Sequence, residues 1–227
     1  MKYKFLFFDA DDTLFDFRRS EREAFMLTLE DFEVRYDKER CFKIYRDINN
    51  SLWLEFENGN VTQKELRIER FKRLFEKINE SHNPEMFNDT YIEYLASSSF
   101  TYPEAEHIIA RLSKKYKLAI VTNGIGYVQQ RRIRKAILGK YFERIIVSED
   151  IGVQKPESEF FEIALREMGI KDRSKVLLIG DSLTSDIQGG KNSGIDTCWY
   201  NPNNIKNTTN LKPKYEIHTL LELYDLL

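Results

Sequence analysis

Short, unbroken apolar runs alternate with amphipathic stretches along much of the chain. Tyr3 to Phe8 is continuous and aromatic-rich, and Asp9 ends it. Lys117 to Val121, Arg144 to Val147 and Lys175 to Ile179 repeat the pattern, with weaker runs at Thr197 to Tyr200 and Tyr215 to His218. Runs this short, bounded by turn residues, predict buried strands. Between them lie helical patterns at Pro103 to about Lys115, Gly126 to Leu138 and Pro156 to Met168. Pro103 and Pro156 suit the first position of a helix, and Gly139 and Gly169 suit its stop. Strands alternating with such helices predict an α/β fold with a parallel sheet covered on both faces.

The stretch 16–101 has another period. Within Val61 to Glu80, Ile68, Phe71, Phe75 and Ile78 fall at helical spacing, and Glu21 to Phe32 and Glu39 to Phe56 also read as helices. Tyr91, Tyr94 and Leu95 read as helix-packing residues, and no strand stands out. A helical insertion therefore interrupts the α/β pattern just after its first strand, with Ser97-Ser98-Ser99 as the way back. The predicted organisation is a core of 1–15 and 102–227 with an inserted domain of 16–101. Charge follows the same division, with net −4 in the insertion and +2 in the remainder.

Composition narrows the classes. With 41% hydrophobic and 32% charged residues among 227, the chain reads as a globular protein of one to two domains. A net charge of −2 and no basic patch argue against a nucleic-acid polymer as partner. No run approaches the roughly 18 apolar residues of a membrane span, and the apolar start is too short for a signal peptide. The expected location is the cytoplasm, with no membrane partner. Cys41 and Cys198 lie far apart and read as free buried thiols of a reducing compartment. His82, His107 and His218 form no constellation, and Asn201 to Lys214 reads as a surface loop.

Four polar clusters each follow a predicted strand. Ligands of open α/β sheets bind beyond those strand ends, so the clusters could converge on one crevice. The first is Asp9-Ala10-Asp11-Asp12-Thr13. Crowding three carboxylates is costly unless something cationic sits among them. One carboxylate can attack phosphorus, and a second can protonate the leaving oxygen and then activate water. The second, Thr122-Asn123-Gly124, offers a hydroxyl, backbone N–H groups and a helix start to an anion. The third, Lys155-Pro156, places a point positive charge beside a helix start. The fourth, Gly180-Asp181-Ser182-Leu183-Thr184-Ser185-Asp186, supplies oxygen ligands that suit Mg²⁺, with Gly189-Gly190 predicting close packing on the sheet. Taken singly, each cluster also reads as an ordinary polar turn, a surface lysine or a capped helix.

In order and spacing, the four together resemble the motifs of the haloacid dehalogenase superfamily in its phosphatase branch, over essentially the whole chain. The resemblance implies a Rossmann-like core and a helical cap of the C1 type. Matched by position, it makes Asp9 the nucleophile and Asp11 the general acid/base that also lends Mg²⁺ its backbone carbonyl. Thr122, Asn123 and Lys155 would hold the phosphoryl group. Asp9, Asp11 and Asp181 would be metal ligands, with Asp186 a metal-shell or Lys155-orienting partner. Asp12 departs from the pattern, which most often has glycine there. The strings FDADDTLFDF, IVTNG, VSEDIGVQKP and GDSLTSDIQGG, with SLWLEFENGNVT in the insertion, look like the bacterial pyrimidine nucleoside-monophosphate phosphatases. That resemblance implies a Mg²⁺-dependent 5′-nucleotidase for UMP, dUMP or dTMP, acting as a monomer or small homo-oligomer. The core motifs leave open another small phosphomonoester, such as phosphoglycolate or a sugar phosphate, and a non-catalytic protein on the same scaffold. Trp53, Phe56 and Asn58 are candidates to meet a base, and the two aromatics equally suit the interior of the insertion. The cap is expected to close over the site on hinges near Asp16-Phe17 and Ser97 to Phe100.

Overall fold

The structure, a computed structural model, describes residues 2–227 apart from the side chain of Glu57. The chain forms two compact units, one reaching to Phe17 and resuming at Ser99–Leu227, the other Arg18–Ser98.

In the first unit, strands β1 (Phe5–Phe8), β2 (Lys117–Thr122), β3 (Arg144–Val147), β4 (Val176–Gly180), β5 (Asp196–Tyr200) and β6 (Tyr215–Ile217) form one sheet in the order β3-β2-β1-β4-β5-β6. Every pairing is parallel, and Phe8 stands level with Ile120 on one side and Ile179 on the other. Alternation of side chains sends Leu6, Phe8, Leu118, Ile120, Leu177 and Ile179 to one face. There they meet Ile108, Ile109 and Leu112 of α5 (Ala105–Leu112). Phe7, Ala119, Val121, Val176 and Leu178 point the other way, onto Phe160, Phe161, Ala164 and Leu165 of α8 (Ser158–Glu167). Burial on both faces is why these strands read as continuous apolar runs.

In the sheet unit, α5 and α8 begin later than the sequence pattern suggests, and α6 (Gly126–Lys135) stops sooner. Pro103 precedes α5 by a turn, and α8 starts at Ser158, past Lys155-Pro156, whose peptide bond is cis. The helix α6 gives way to a tight 3₁₀ turn, Ile137–Tyr141. Gly139 lies inside that turn, where an added Cβ would sit 2.1 Å from the carbonyl oxygen of Ile133. A short helix α7 (Ser148–Ile151) follows β3, and a wide π turn, Leu183–Ile187, runs into α9 (Gln188–Ser193). Gly190 packs on Thr197 of β5 and Gly189 on the ring of Phe161, so the expected close approach is present. The chain ends in α10 (Leu223–Leu226).

The second unit is helical: α1 (Phe17–Asp31, its first residue in the sheet unit), α2 (Lys38–Glu57), α3 (Gln63–Ile78) and α4 (Pro84–Ser97). Thr62 and Glu65 form a capping box at α3, and Asn83 caps α4 with Pro84 in its first turn. The rings of Phe25, Tyr45, Phe71, Phe87 and Tyr91 make an aromatic core. Of the expected packing residues in α4, Tyr91 and Leu95 are buried, while Tyr94 turns outward to donate to Asp31. Among the described residues, no helix is long and apolar enough to cross a membrane. Cys41 and Cys198 are free and buried, and burial pushes both thiols up to about 12.

Candidate active site

The centre of the sheet dictates where the polar clusters meet. Strand β1 lies between β2 and β4, so the residues at or just beyond their ends, Asp9, Thr122-Asn123 and Asp181, emerge side by side at one edge. Asp9 is buried, and its Oδ1 accepts a hydrogen bond from Lys155 Nζ at 2.6 Å. The same ammonium donates to Asp186 Oδ1 at 2.7 Å and to the carbonyl of Val121 at 3.0 Å. Lys155 is therefore fully enclosed and is no surface lysine.

A pair of amide contacts fixes this lysine. Asn123 Nδ2 donates to the carbonyl of Lys155 at 2.7 Å, and the Lys155 N–H donates back to Asn123 Oδ1 at 2.8 Å. Asn123, expected at the phosphate, thus has its side chain on the backbone of Lys155. The helix start expected beside Lys155 lies further on, at Ser158. Thr122 is buried with its hydroxyl oxygen accepting from Gln129 Nε2 at 2.9 Å.

Carboxylates outnumber cations here. One oxygen each of Asp9, Asp181 and Asp186 lies within 4.8 Å of the others. Burial raises Asp181 well above the ordinary carboxylate range, and the charges of Asp9, Asp186 and Asp12 push it further. Asp186 is pushed up to about 6 by burial, with Lys155 pulling the other way. For Lys155, burial lowers the ammonium, but Asp186 and Asp9 more than reverse this and hold it above its ordinary value. Three hard oxygen donors in mutual repulsion fit a small divalent cation. Asp186 has other attachments, since its Oδ2 accepts from the Ser182 N–H at 3.1 Å. The carbonyl of Asp181 accepts from Trp199 Nε1 at 2.8 Å, which ties that loop to β5.

The carboxylate of Asp11 has partners of its own. Its Oδ2 accepts from Gln129 Nε2 at 2.8 Å, and its Oδ1 forms an ion pair with Arg132. Arg132 is completely buried, and burial pushes its guanidinium down to about 9, with the charge of Asp9 working the other way. The sequence reading overlooked Gln129 and Arg132 because they sit in a run of polar helix residues. The available signal was their place on α6, beside buried Val128 and Ile133.

Comparison with known proteins adds the family. A family model for haloacid dehalogenase-like hydrolases matches residues 3–194. The chain belongs to that family. In this haloacid dehalogenase-like hydrolase, Asp12 occupies a left-handed backbone position with φ 56°, a conformation that suits glycine and that Asp tolerates. The chain is 35% identical to the pyrimidine 5′-nucleotidase YjjG of Escherichia coli, over 100% of this chain and 99% of the other. It is 37% identical to the pyrimidine 5′-nucleotidase PynA of Streptococcus pneumoniae, over 100% and 96%. A magnesium-bound crystal structure of the HAD-hydrolase YfnB of Bacillus subtilis superposes with a TM-score of 0.94 at 36% identity, covering 100% of this chain and 99% of that one.

In the helical unit, the rings of Trp53 and Phe56 meet edge to face at 5.6 Å. Asn58 caps α2, with its side-chain amide donating to the carbonyl of Leu54 at 2.9 Å. The candidate base contacts therefore have roles within their own unit.

Proposed function

We propose that this hydrolase is a Mg²⁺-dependent phosphatase that acts through an aspartyl phosphate, with pyrimidine nucleoside monophosphates (UMP, dUMP, dTMP) as substrates. The observation that carries the reading is Asp9: a buried carboxylate at the end of the central strand, held through one oxygen by Lys155 and grouped with Asp181 and Asp186. The nucleotide preference is supported by relatives named pyrimidine 5′-nucleotidases that match along the full chain.

Asp9, Asp181 and the main-chain carbonyl of Asp11 would hold the cation, with Asp186 beside them. When bound, Mg²⁺ supplies positive charge that offsets the phosphate dianion and the crowded carboxylates. Asp9 uses its free oxygen to attack phosphorus. As that bond forms, the bond from phosphorus to the 5′-oxygen breaks, and Asp11 gives its proton to the departing oxygen. In the second half, Asp11 takes a proton from water. The water oxygen bonds to phosphorus, the Asp9–phosphorus bond breaks, and inorganic phosphate leaves. Lys155 keeps Asp9 in place throughout and presents positive charge where the phosphoryl oxygens gather. Thr122 offers its hydroxyl to the same oxygens, and Asn123 serves by fixing Lys155.

The test is phosphate release with Mg²⁺ across pyrimidine and purine monophosphates, sugar phosphates and phosphoglycolate, using Asp9→Asn as the blank. The expected result is the highest kcat/KM for UMP, dUMP or dTMP. A higher value for phosphoglycolate or a sugar phosphate overturns the substrate and leaves the Asp9 chemistry standing. Wild-type release no greater than the blank for every ester overturns the phosphatase itself.

A further inference from the structure

Gln129 and Arg132 stand one helical turn apart on α6, buried beside Val128 and Ile133. Buried guanidinium groups are rare without a partner, because desolvation is costly. Here the partner is Asp11: its Oδ1 forms an ion pair with Arg132, and its Oδ2 accepts from Gln129. The two helix residues are also joined to each other, with Arg132 Nε donating to Gln129 Oε1 at 2.6 Å. The guanidinium lies 5.0 Å from the ring centre of Phe15 and 5.4 Å from that of Phe17, which leaves it little room to turn.

Gln129 reaches a second place. Its Nε2 donates to Thr122 Oγ1 at 2.9 Å as well as to Asp11. Gly124 makes this possible, since an added Cβ would stand 2.5 Å from Gln129 Cγ and Nε2. The glycine of the Thr122-Asn123-Gly124 cluster thus admits a side chain that links the end of β2 to the loop after β1.

We propose that Arg132 and Gln129 are positioning residues for Asp11. They hold its carboxylate in one orientation for the leaving oxygen and then for water, and they tie it to Thr122. Arg132 anchors Oδ1. Gln129 serves Oδ2 while the group is a carboxylate, and keeps Thr122 Oγ1 as an acceptor when Oδ2 carries the proton. This inference rests on Asp11 being the acid and base of the proposed reaction.

The test compares leaving groups on the Mg²⁺-loaded enzyme. p-Nitrophenolate departs without a proton, whereas an alkoxide needs one. kcat/KM is measured for p-nitrophenyl phosphate and for two alkyl esters, UMP and glycerol 3-phosphate, in wild type, Arg132→Met, Gln129→Leu and Asp11→Asn. General acid catalysis contributes at least about a hundredfold, and misplacing the acid is expected to forfeit roughly tenfold or more of it. Both positioning variants should therefore lose at least about tenfold in kcat/KM for the alkyl esters, and no more than about threefold for p-nitrophenyl phosphate. They should also show a burst of p-nitrophenolate, because the slowed water step lets the phosphoenzyme accumulate. Equal losses on all three esters, or no loss on any, overturn the inference. Asp11→Asn separates the two levels. If it fails to discriminate between leaving groups, the role of Asp11 falls; if it discriminates and the other two do not, only the positioning role falls. Should Arg132→Met not fold, Arg132→Lys keeps the buried charge and Gln129→Leu keeps the volume, and either one decides.

Discussion

Both units bury polar groups, but they balance them differently. In the helical unit, Tyr45 donates to Glu21 at 3.3 Å and to Tyr91 at 3.1 Å, Asn49 donates to Glu21 at 3.1 Å, and Arg46 lies 3.8 Å from the same acid. Arg70 donates to Asn88 at 3.0 Å and lies over the rings of Phe71 and Tyr91. Burial raises both phenols far from neutrality, so they stay protonated, Tyr45 as donor and Tyr91 as acceptor. In that network Glu21 is the shared acceptor, and a cation stands beside it. At the sheet edge, Asp9, Asp181 and Asp186 share a space with Lys155, and the acids repel one another. A network that serves folding neutralises itself. One that serves a ligand leaves part of its charge for the ligand to complete.

The comparison is broken most severely at Asp9. Asp9→Asn removes one negative charge and keeps the shape. Phosphate release is expected to fall by about a thousandfold or more, with an unchanged circular dichroism spectrum. Removal of the cation ranks next: EDTA should abolish turnover and Mg²⁺ should restore it, and full activity in a metal-free preparation would remove the cation from the account. The same excess charge has a pH signature. Because Asp181 and Asp186 are raised in the folded state, that state binds more protons than the unfolded chain from the ordinary 3.8 up to about 6 and beyond. Their contribution to stability is therefore present at low pH and lost as pH rises through the folded values. In EDTA, Tm should fall by roughly 5 °C between about pH 5 and pH 7, and Mg²⁺ should flatten that slope. A slope unaffected by Mg²⁺ contradicts the assignment of the acids to a cation.

Lys155→Met tests the ammonium that Asp9 and Asp186 share. Two buried carboxylates would lose their partner, so activity should vanish and stability should drop by about 3–5 kcal/mol in urea unfolding. The smallest effect lies in the other unit. Tyr45→Phe removes one hydroxyl from the network around Glu21, and the expected cost is about 1 kcal/mol of stability. Its kcat and KM should match wild type. A large kinetic effect there would erase the distinction between the two networks.

The fold was largely legible because strands buried on both faces leave unbroken apolar runs, and all six predicted runs are strands. Three of the four clusters were legible because each lies at the end of a strand; Lys155-Pro156 lies further on, past β3 and α7. What the sequence hid depends on contacts distant along the chain. Lys155 was expected to be set by a helix start, yet it is held by Asn123, 32 positions earlier, and by Asp9, 146 positions earlier. Arg132 reads as part of a solvated charge run until its burial against Asp11 and Phe15 is seen. Asp186 was expected as a metal-shell or Lys155-orienting partner, and it holds Lys155 while lying close to Asp9 and Asp181. Helix ends shifted wherever a turn competed, as at Pro156 and Gly139.

The central claim is that phosphate passes through Asp9. The direct measurement is an acid quench of the Mg²⁺-loaded enzyme during turnover of its best substrate, labelled in the phosphate, followed by peptide mapping. The account predicts a hydroxylamine-labile phosphoryl group on the peptide containing Asp9, enriched in Arg132→Met and absent in Asp9→Asn. Label on any other residue, or undiminished phosphate release by Asp9→Asn, would contradict it.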